Sequence, residues 1–125
     1  MFFKNKTSST PDKNSGAQAE LRAEKFLQKQ GLITQAKNYR CKAGEIDLIM
    51  KQCDELVFVE VRLRSHRQFA NAAESVTITK QQKIIKAAQH YLQEHQLTDT
   101  ANCRFDVVAF SDKSEPEWIQ NAFTL

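Results

Sequence analysis

The stretch from Gly44 to Arg64, GEIDLIMKQCDELVFVEVRLR, constrains the fold of this 125-residue chain more than any other. It contains two apolar runs joined by a polar turn at 51–55, which is the pattern of a β-hairpin. Three charged residues interrupt the apolar runs: Asp47, Glu60 and Arg62. A charged group in a half-buried strand costs several kcal/mol unless it is paired, hydrogen-bonded or bound to a metal. These three side chains are therefore the first candidates for a functional site.

The geometry of a hairpin places these charges in pairs. Side chains alternate between the two faces of a strand, and a hairpin that is symmetric about the middle of its turn places Asp47 opposite Glu60 and Glu45 opposite Arg62. Directly opposed residues bring their Cβ atoms to about 4.5–5.5 Å. Two carboxylates at that distance raise a pKa or recruit a cation, and Mg²⁺ is held by one or two carboxylates with waters and phosphates. Asp47 and Glu60 are therefore predicted to be a candidate metal-binding pair.

The composition fits one globular domain. The chain is 41% apolar and 26% charged, and its net charge of +3 permits nucleic-acid binding without requiring it. No apolar run approaches the ~18 residues of a membrane span, and the N-terminus lacks the apolar region of a secretory signal. The three cysteines are far apart and form no CxxC pair, which fits a reducing compartment. The expected location is the cytoplasm, with no membrane partner.

The order of the predicted elements defines the expected fold. Residues 1–14 are polar and aperiodic and are predicted to be a flexible tail before a single domain at 15–125. Periodicity then predicts a helix, three strands, a longer helix, a fourth strand and a short closing element, at 15–31, 32–40, the two arms of the 44–64 hairpin, 80–96, 103–110 and 117–123. This order predicts an α/β sandwich whose mixed central sheet is flanked by helices, with a crossover connection before the fourth strand.

The helix starts are predicted from two capping boxes. Ser15 with Gln18 would open the first helix, which Gly31 would end, and Thr79 with Gln82 would open the second. Each pair has a hydroxyl followed three residues later by a side-chain amide, and so provides partners for main-chain N–H groups that have none inside the helix.

Three further acids lie in apolar surroundings. Glu20 and Glu24 fall within the apolar arc of the first helix, and Asp106 interrupts the fourth strand. Glu24 is interpreted as paired with a neighbouring base, and Asp106 as an ion pair with Arg104, which shares its face. Glu20 lies close to the centre of the packing face, and both a structural and a functional role remain open for it.

The chain resembles a known family. An Asp on one strand followed by a Glu-x-basic triplet on the next is the pattern of the PD-(D/E)xK nuclease superfamily. Over a wider stretch, the chain resembles the YraN family of small bacterial proteins, which have this restriction-endonuclease-like fold. The resemblance extends from about Gly16 to Phe123 and includes GEIDLI at 44–49, LVFVEVRLRS at 56–65, AAESV at 72–76 and RFDVVAF at 104–110.

The resemblance implies a nuclease core similar to that of archaeal Holliday-junction resolvases. Asp47 and Glu60 would bind Mg²⁺ or Mn²⁺, and Glu20 matches an acid of the first helix that often joins such sites. The implied partner is DNA, in particular branched or structured DNA, and resolvases of this kind often need two active sites, so a homodimer would fit. The basic residues expected to approach its phosphates are Arg40, Arg64, Arg67, Lys80 and Lys83.

Arg62 departs from the superfamily pattern, which has a catalytic lysine at this position. Arginine keeps its proton, so Arg62 can stabilise developing negative charge as a bidentate clamp but cannot easily act as a base. Three functions therefore fit the sequence: a metal-dependent endonuclease, a nucleic-acid-binding module without catalysis, and an interaction scaffold. The scaffold would be favoured by a structure in which Arg62 pairs with Glu60 or Glu45 and no open cleft lies beside them.

Overall fold

The computed structural model describes residues 15–63, 76–111 and 115–124. Its elements follow the predicted order, and the closing element is a strand: α1 Ser15–Lys29, β1 Ile33–Cys41, β2 Gly44–Gln52, β3 Glu55–Leu63, α2 Ile78–Glu94, β4 Asn102–Phe110 and β5 Glu117–Phe123. The tail predicted at 1–14, together with Arg64 and Arg67, lies outside the described residues. Within the described ranges, neither helix is long and apolar enough to cross a membrane.

The five strands form one mixed sheet in the order β1-β2-β3-β4-β5. Strands β3 and β4 are parallel and the other neighbours are antiparallel, which confirms the mixed sheet and the predicted crossover through α2. The β2–β3 hairpin pairs Leu48 with Val59 and Gln52 with Glu55. This register is the symmetric one predicted from the sequence, because the short polar turn leaves the two apolar runs aligned.

The two helices pack on opposite faces of the sheet and produce three layers. Side chains of α1 form one apolar core with Val57 and Val59 of β3, whereas side chains of α2 form the other core with Phe58. Strand β3 is therefore buried on both faces, which explains its nearly continuous apolar sequence. Packing from both sides thus buries residues 56–60 of β3, including Glu60, and Arg62 follows them at the less buried carboxyl-terminal end.

Helix α1 ends in a Schellman motif at the predicted position. Gly31 has a φ of +99°, a conformation that glycine adopts without steric cost. Its N–H donates to the carbonyl of Gln28 at 3.0 Å, and the N–H of Leu32 donates to the carbonyl of Leu27 at 3.1 Å. Leu27 and Leu32 are both buried in the same core, so the motif also turns the chain into β1.

The predicted start of α2 is wrong by two residues. Its N-cap is Thr77, whose side chain accepts the N–H of Lys80 at 3.1 Å, and Thr79 lies inside the first turn. The physical reason is the burial of Val76, which packs into the core on the α2 side of the sheet. That anchor makes Thr77 the last extended residue, and the capping box of Thr79 with Gln82 does not form the cap.

Asp106 forms the structural ion pair predicted from its spacing. Its side chain is fully buried and accepts hydrogen bonds from Arg104 Nε at 3.0 Å, Trp118 Nε1 at 2.9 Å and the N–H of Asn121 at 2.9 Å. Arg104 also reaches Glu55 on β3 at 3.0 Å. This network joins three adjacent strands and satisfies the buried carboxylate with donors from β4 and β5.

Replacing Asp106 by alanine tests this structural role. The change leaves the Trp118 indole N–H and the Asn121 N–H without their acceptor and the Arg104 guanidinium with Glu55 as its remaining carboxylate, and should lower the free energy of unfolding by roughly 3–5 kcal/mol. Glu45→Ala is the matched control, because it removes an exposed pair with Arg40 that should contribute less than about 1 kcal/mol. Urea unfolding measures both values, and equal losses in the two variants would contradict the structural assignment.

Candidate active site

Asp47 lies where the backbone ladder between β2 and β3 ends. The last paired residues at this end are Leu48 and Val59. Beyond them, the N–H of Val61 donates to Oδ2 of Asp47 at 2.8 Å. A carboxylate has thus taken the place of a main-chain acceptor, and this bond fixes one oxygen of Asp47 against β3.

Strand β2 changes faces at Asp47. Ile46 packs in the core on the α2 side and Leu48 in the core on the α1 side, although strict alternation would put both on one face. On β1, the position opposite Asp47 is Asn38, whose φ is +54°. This left-handed conformation of Asn38 interrupts the alternation of side chains between the two faces of β1 at the same point. This change of faces at Asp47, called the kink below, therefore directs Asp47 towards the sheet end instead of into either apolar core.

Three carboxyl groups from three elements meet at this kink. Glu20 of α1 and Glu60 of β3 both lie next to Asp47 of β2, close enough for a proton on either of them to be shared with it. Burial, and then the charge of Asp47, raises the pKa of Glu20 to about 7 and the pKa of Glu60 to about 7. Burial also raises the pKa of Asp47, against the lowering effect of the Val61 N–H. In the absence of a cation, protons on Glu20 and Glu60 therefore allow the three acids to remain in contact.

Two basic side chains complete the cluster. Arg62 Nη1 lies 3.6 Å and Lys80 Nζ 3.7 Å from the same oxygen of Glu60, Oε2, and only 5% of the Glu60 side chain is exposed. The sequence predicts Lys80 as a phosphate contact, and the structure places its ammonium group directly against the carboxylates. Glu45, the predicted neighbour of Arg62, pairs with Arg40 of β1 at 3.1 Å.

Asn38 is a residue of this cluster that the sequence did not single out. Its side-chain amide lies beside the Glu20 carboxyl group and opposes the rise in the pKa of that group. An Asn inside a strand is itself a signal, because Asn is among the few non-glycine residues that readily adopt a positive φ. The sequence therefore shows an unusual amide in β1. It does not show that Glu20 lies beside this amide, because that contact depends on the kink.

A cavity of about 270 Å³ opens beside Glu20, between α1 and β1. Its lining includes Asn38 and Leu48, so it reaches the kink from the α1 side. Glu24 also lines it and is satisfied locally, by Thr34 Oγ1 at 2.7 Å and Lys37 Nζ at 3.3 Å, as its structural interpretation predicted. Glu20 is therefore the acid on this helix that joins the cluster.

The cluster has the donor chemistry of a Mg²⁺ or Mn²⁺ site. In residues 15–63, 76–111 and 115–124, no three His, Cys, Asp or Glu side chains are arranged so that together they could hold a metal ion. Instead, the three carboxyls form a chain with Asp47 in the middle. Mg²⁺ usually takes only one or two carboxylates and completes its shell with water and substrate phosphate. Asp47 and Glu60 fit a cation of that kind.

The raised pKa values predict how the stability of the cation-free protein depends on pH. The pKa of Glu60 is about 7 in the folded protein and has an ordinary value of 4.5. The folded state therefore binds more protons between these values, and the free energy of unfolding should fall as the pH rises from about 5 to about 8.

Glu60→Gln cannot ionise and should be more stable than the wild type in EDTA above a pH of about 7, by on the order of 2 kcal/mol. Asp54→Asn, in the turn at the other end of the hairpin, should keep the wild-type pH profile. Urea unfolding at several pH values gives the comparison, and parallel profiles for the wild type and Glu60→Gln would show that Glu60 holds no extra proton in the fold.

Comparison with known proteins places the chain in a family. The model of the Uncharacterised protein family UPF0102 matches residues 19–110, a region that contains Glu20, Asp47, Glu60 and Lys80. The chain is 56% identical over 111 residues to a UPF0102 protein of Saccharophagus degradans, covering 89% of this chain and 93% of that protein.

Two further relatives show the same extent of similarity. A UPF0102 protein of Methylobacillus flagellatus is 52% identical over 114 residues, which are 90% of this chain and 98% of that protein. A UPF0102 protein of Aeromonas hydrophila is 52% identical over 116 residues, which are 92% of this chain and 87% of that protein. The chain therefore belongs to UPF0102, the YraN family that its sequence resembles.

Proposed function

We propose that this protein hydrolyses phosphodiester bonds in DNA with Mg²⁺ or Mn²⁺ bound by Asp47 and Glu60, beside the carboxyl group of Glu20. The observation that carries the proposal is the contact of three carboxyl groups from α1, β2 and β3. Holding these acids together costs stability at neutral pH, because each ionised group opposes the ionisation of its neighbours. Clusters of this kind are typical of functional sites.

The protein part of the proposed site is pre-oriented. The Val61 N–H fixes one oxygen of Asp47, and Asn38 holds Glu20 beside it. Outer hydrogen bonds of this kind orient the groups that bind a metal. When bound by Asp47 and Glu60, the cation would neutralise both carboxylates and polarise the phosphoryl group of the substrate. The three-layer arrangement of the helices and sheet is consistent with the nuclease-like core that belongs to this proposal.

Lys80 brings a lysine ammonium group to the site, where the Glu-x-basic triplet of β3 has arginine in place of the usual lysine. Its ammonium group reaches Glu60 from the first turn of α2, next to the guanidinium of Arg62. A phosphate bound beside Glu60 would therefore lie near two cations that are already in place. Fixed charges of this kind stabilise the negative charge that develops on the phosphoryl oxygens, and one such group accelerates a reaction by roughly 10²–10³.

One observation favours a second function, a nucleic-acid-binding module that does not cleave. Arg62 pairs with Glu60 at 3.6 Å, the contact expected from the sequence for an interaction scaffold, so Glu60 has cationic partners without a metal. This alternative gives no role to the cavity beside Glu20. It also gives no role to the proton-dependent contacts of Asp47. Cleavage assays separate the two functions.

In the assay, purified protein is incubated with labelled linear, single-stranded and four-way-junction DNA in Mg²⁺, Mn²⁺ or EDTA. Cleavage should require a divalent cation, and Asp47→Asn should lower its rate by at least about 10²-fold. Asp54→Asn is the control, since it removes an exposed acid at the opposite end of the same hairpin. Absence of cleavage on all three substrates, or equal rates in the wild type and Asp47→Asn, would refute the proposed hydrolysis.

The same assay separates Lys80 from a general phosphate contact. Lys80→Ala should lower kcat by about 10²–10³-fold, because it removes a charge from the reacting centre. Its affinity for DNA in EDTA should change by far less, whereas removal of a simple phosphate-binding group would weaken binding and leave kcat unchanged. The second pattern would remove Lys80 from the catalytic group.

A further inference from the structure

A second cleft, apart from the carboxylate cluster, lies between the β1–β2 turn and the first two turns of α2. Its volume is about 470 Å³, and the described residues that line it include three lysines and no acid: Lys42, Ala43, Thr79, Gln82, Lys83 and Lys86. Thr79 and Gln82, which do not form the helix cap, contribute polar side chains to this lining. The cleft is thus both basic and able to form hydrogen bonds.

Close packing holds the two walls of this cleft together. A Cβ atom added to Gly44 would lie 3.2 Å from Cβ and 3.2 Å from the main-chain oxygen of Lys83, so the start of β2 rests directly on α2. Cys41 pairs with Gly44 across the two-residue turn that contains Lys42. Short turns of this kind have little freedom, so Lys42 is held beside the lysines of the helix.

The lysines of the cleft have no counter-charge within the described part of the chain. The ion pairs formed by residues 15–63, 76–111 and 115–124 do not include Lys42, Lys83 or Lys86. The first turn of α2 also contains no acid. Convergent ammonium groups repel one another, and an anionic ligand would relieve that repulsion.

The cleft lies at a defined distance from the carboxylates. Gly44 precedes Asp47 by three residues on β2, which corresponds to about 10 Å of strand. On α2, Lys83 and Lys86 follow Lys80 by about one and two turns, or roughly 4.5 and 9 Å. Successive phosphates of one DNA strand are about 3.4 Å apart along the helix axis, so along that axis these distances correspond to about one to three nucleotides.

We infer that this cleft binds the backbone phosphates of nucleic acid about one to three nucleotides from the bond held at Asp47 and Glu60. The inference rests on the proposed function and adds Lys42 and Lys86 to the surface that contacts DNA. A row of cations that leads away from the carboxylates along one helix suits a polyanion, whereas a single phosphate ion would use only part of it. The cleft therefore sets the direction in which the bound strand leaves the site.

The test is the salt dependence of binding to a labelled DNA duplex, measured by fluorescence anisotropy in EDTA. The double variant Lys42→Ala with Lys86→Ala should bind more weakly and should reduce the slope of log K against log salt by roughly 1.8, about 0.9 for each phosphate that the protein no longer neutralises. The control is Lys29→Ala with Lys51→Ala, which removes the same charge from exposed positions at the far ends of α1 and β2.

A smaller salt slope for the cleft variant than for the control variant, with equal thermal unfolding midpoints for the two, supports the phosphate-binding cleft. Equal slopes overturn it. If the wild type cleaves DNA and the cleft variant binds like the control, the cleft assignment fails and the hydrolysis stands. If the wild type cleaves no DNA and only the cleft variant binds more weakly, the phosphate-binding cleft stands and the proposed hydrolysis fails.

Discussion

The hydrogen bond from the Val61 N–H to Asp47 is the interaction on which the candidate site depends. It replaces a main-chain contact where β2 and β3 cease to pair, so the ladder ends on a carboxylate instead of on a peptide group. The kink at Asp47 and the positive φ of Asn38 lie beside each other, at opposed positions of β2 and β1. Because Asp47 is fixed there, an acid from the helix on one face and an acid from the central strand can both reach it.

The chain uses buried acids in two different ways, and the contrast supports the functional assignment. Asp106 is surrounded by donors, from Arg104, Trp118 and a main-chain N–H, and needs nothing further. Asp47 has two other acids as neighbours, and burial together with their mutual repulsion raises the pKa of Glu20 and Glu60 to about 7. The first arrangement stabilises a fold, whereas the second is stable at neutral pH only with protons or a cation in place.

The hairpin and its acid pair could be predicted because strand alternation and a short turn determine them. The register of β2 with β3 and the pairing of Asp106 with Arg104 follow from patterns within a few residues, the crossover through α2 follows from the order of the elements, and the structural role of Glu24 follows from its place on the apolar arc of α1. The predicted N-cap of α2 is wrong because threonine occupies both 77 and 79, and the burial of Val76 decides between them. Asn38 and the position of Lys80 depend on how distant elements dock, which periodicity does not encode.

Calorimetric titration with Mn²⁺ near the pKa of about 7 of Glu20 and Glu60, where both groups are partly protonated, tests the central claim most directly, that the cluster around Asp47 is a cation site. The wild type should bind Mn²⁺ and release protons in doing so, because the ligands must be deprotonated. Asp54→Asn should behave in the same way, and Asp47→Asn should lose both the binding and the proton release. No Mn²⁺ binding by the wild type, or the same binding by Asp47→Asn, would contradict the assignment of a cation site.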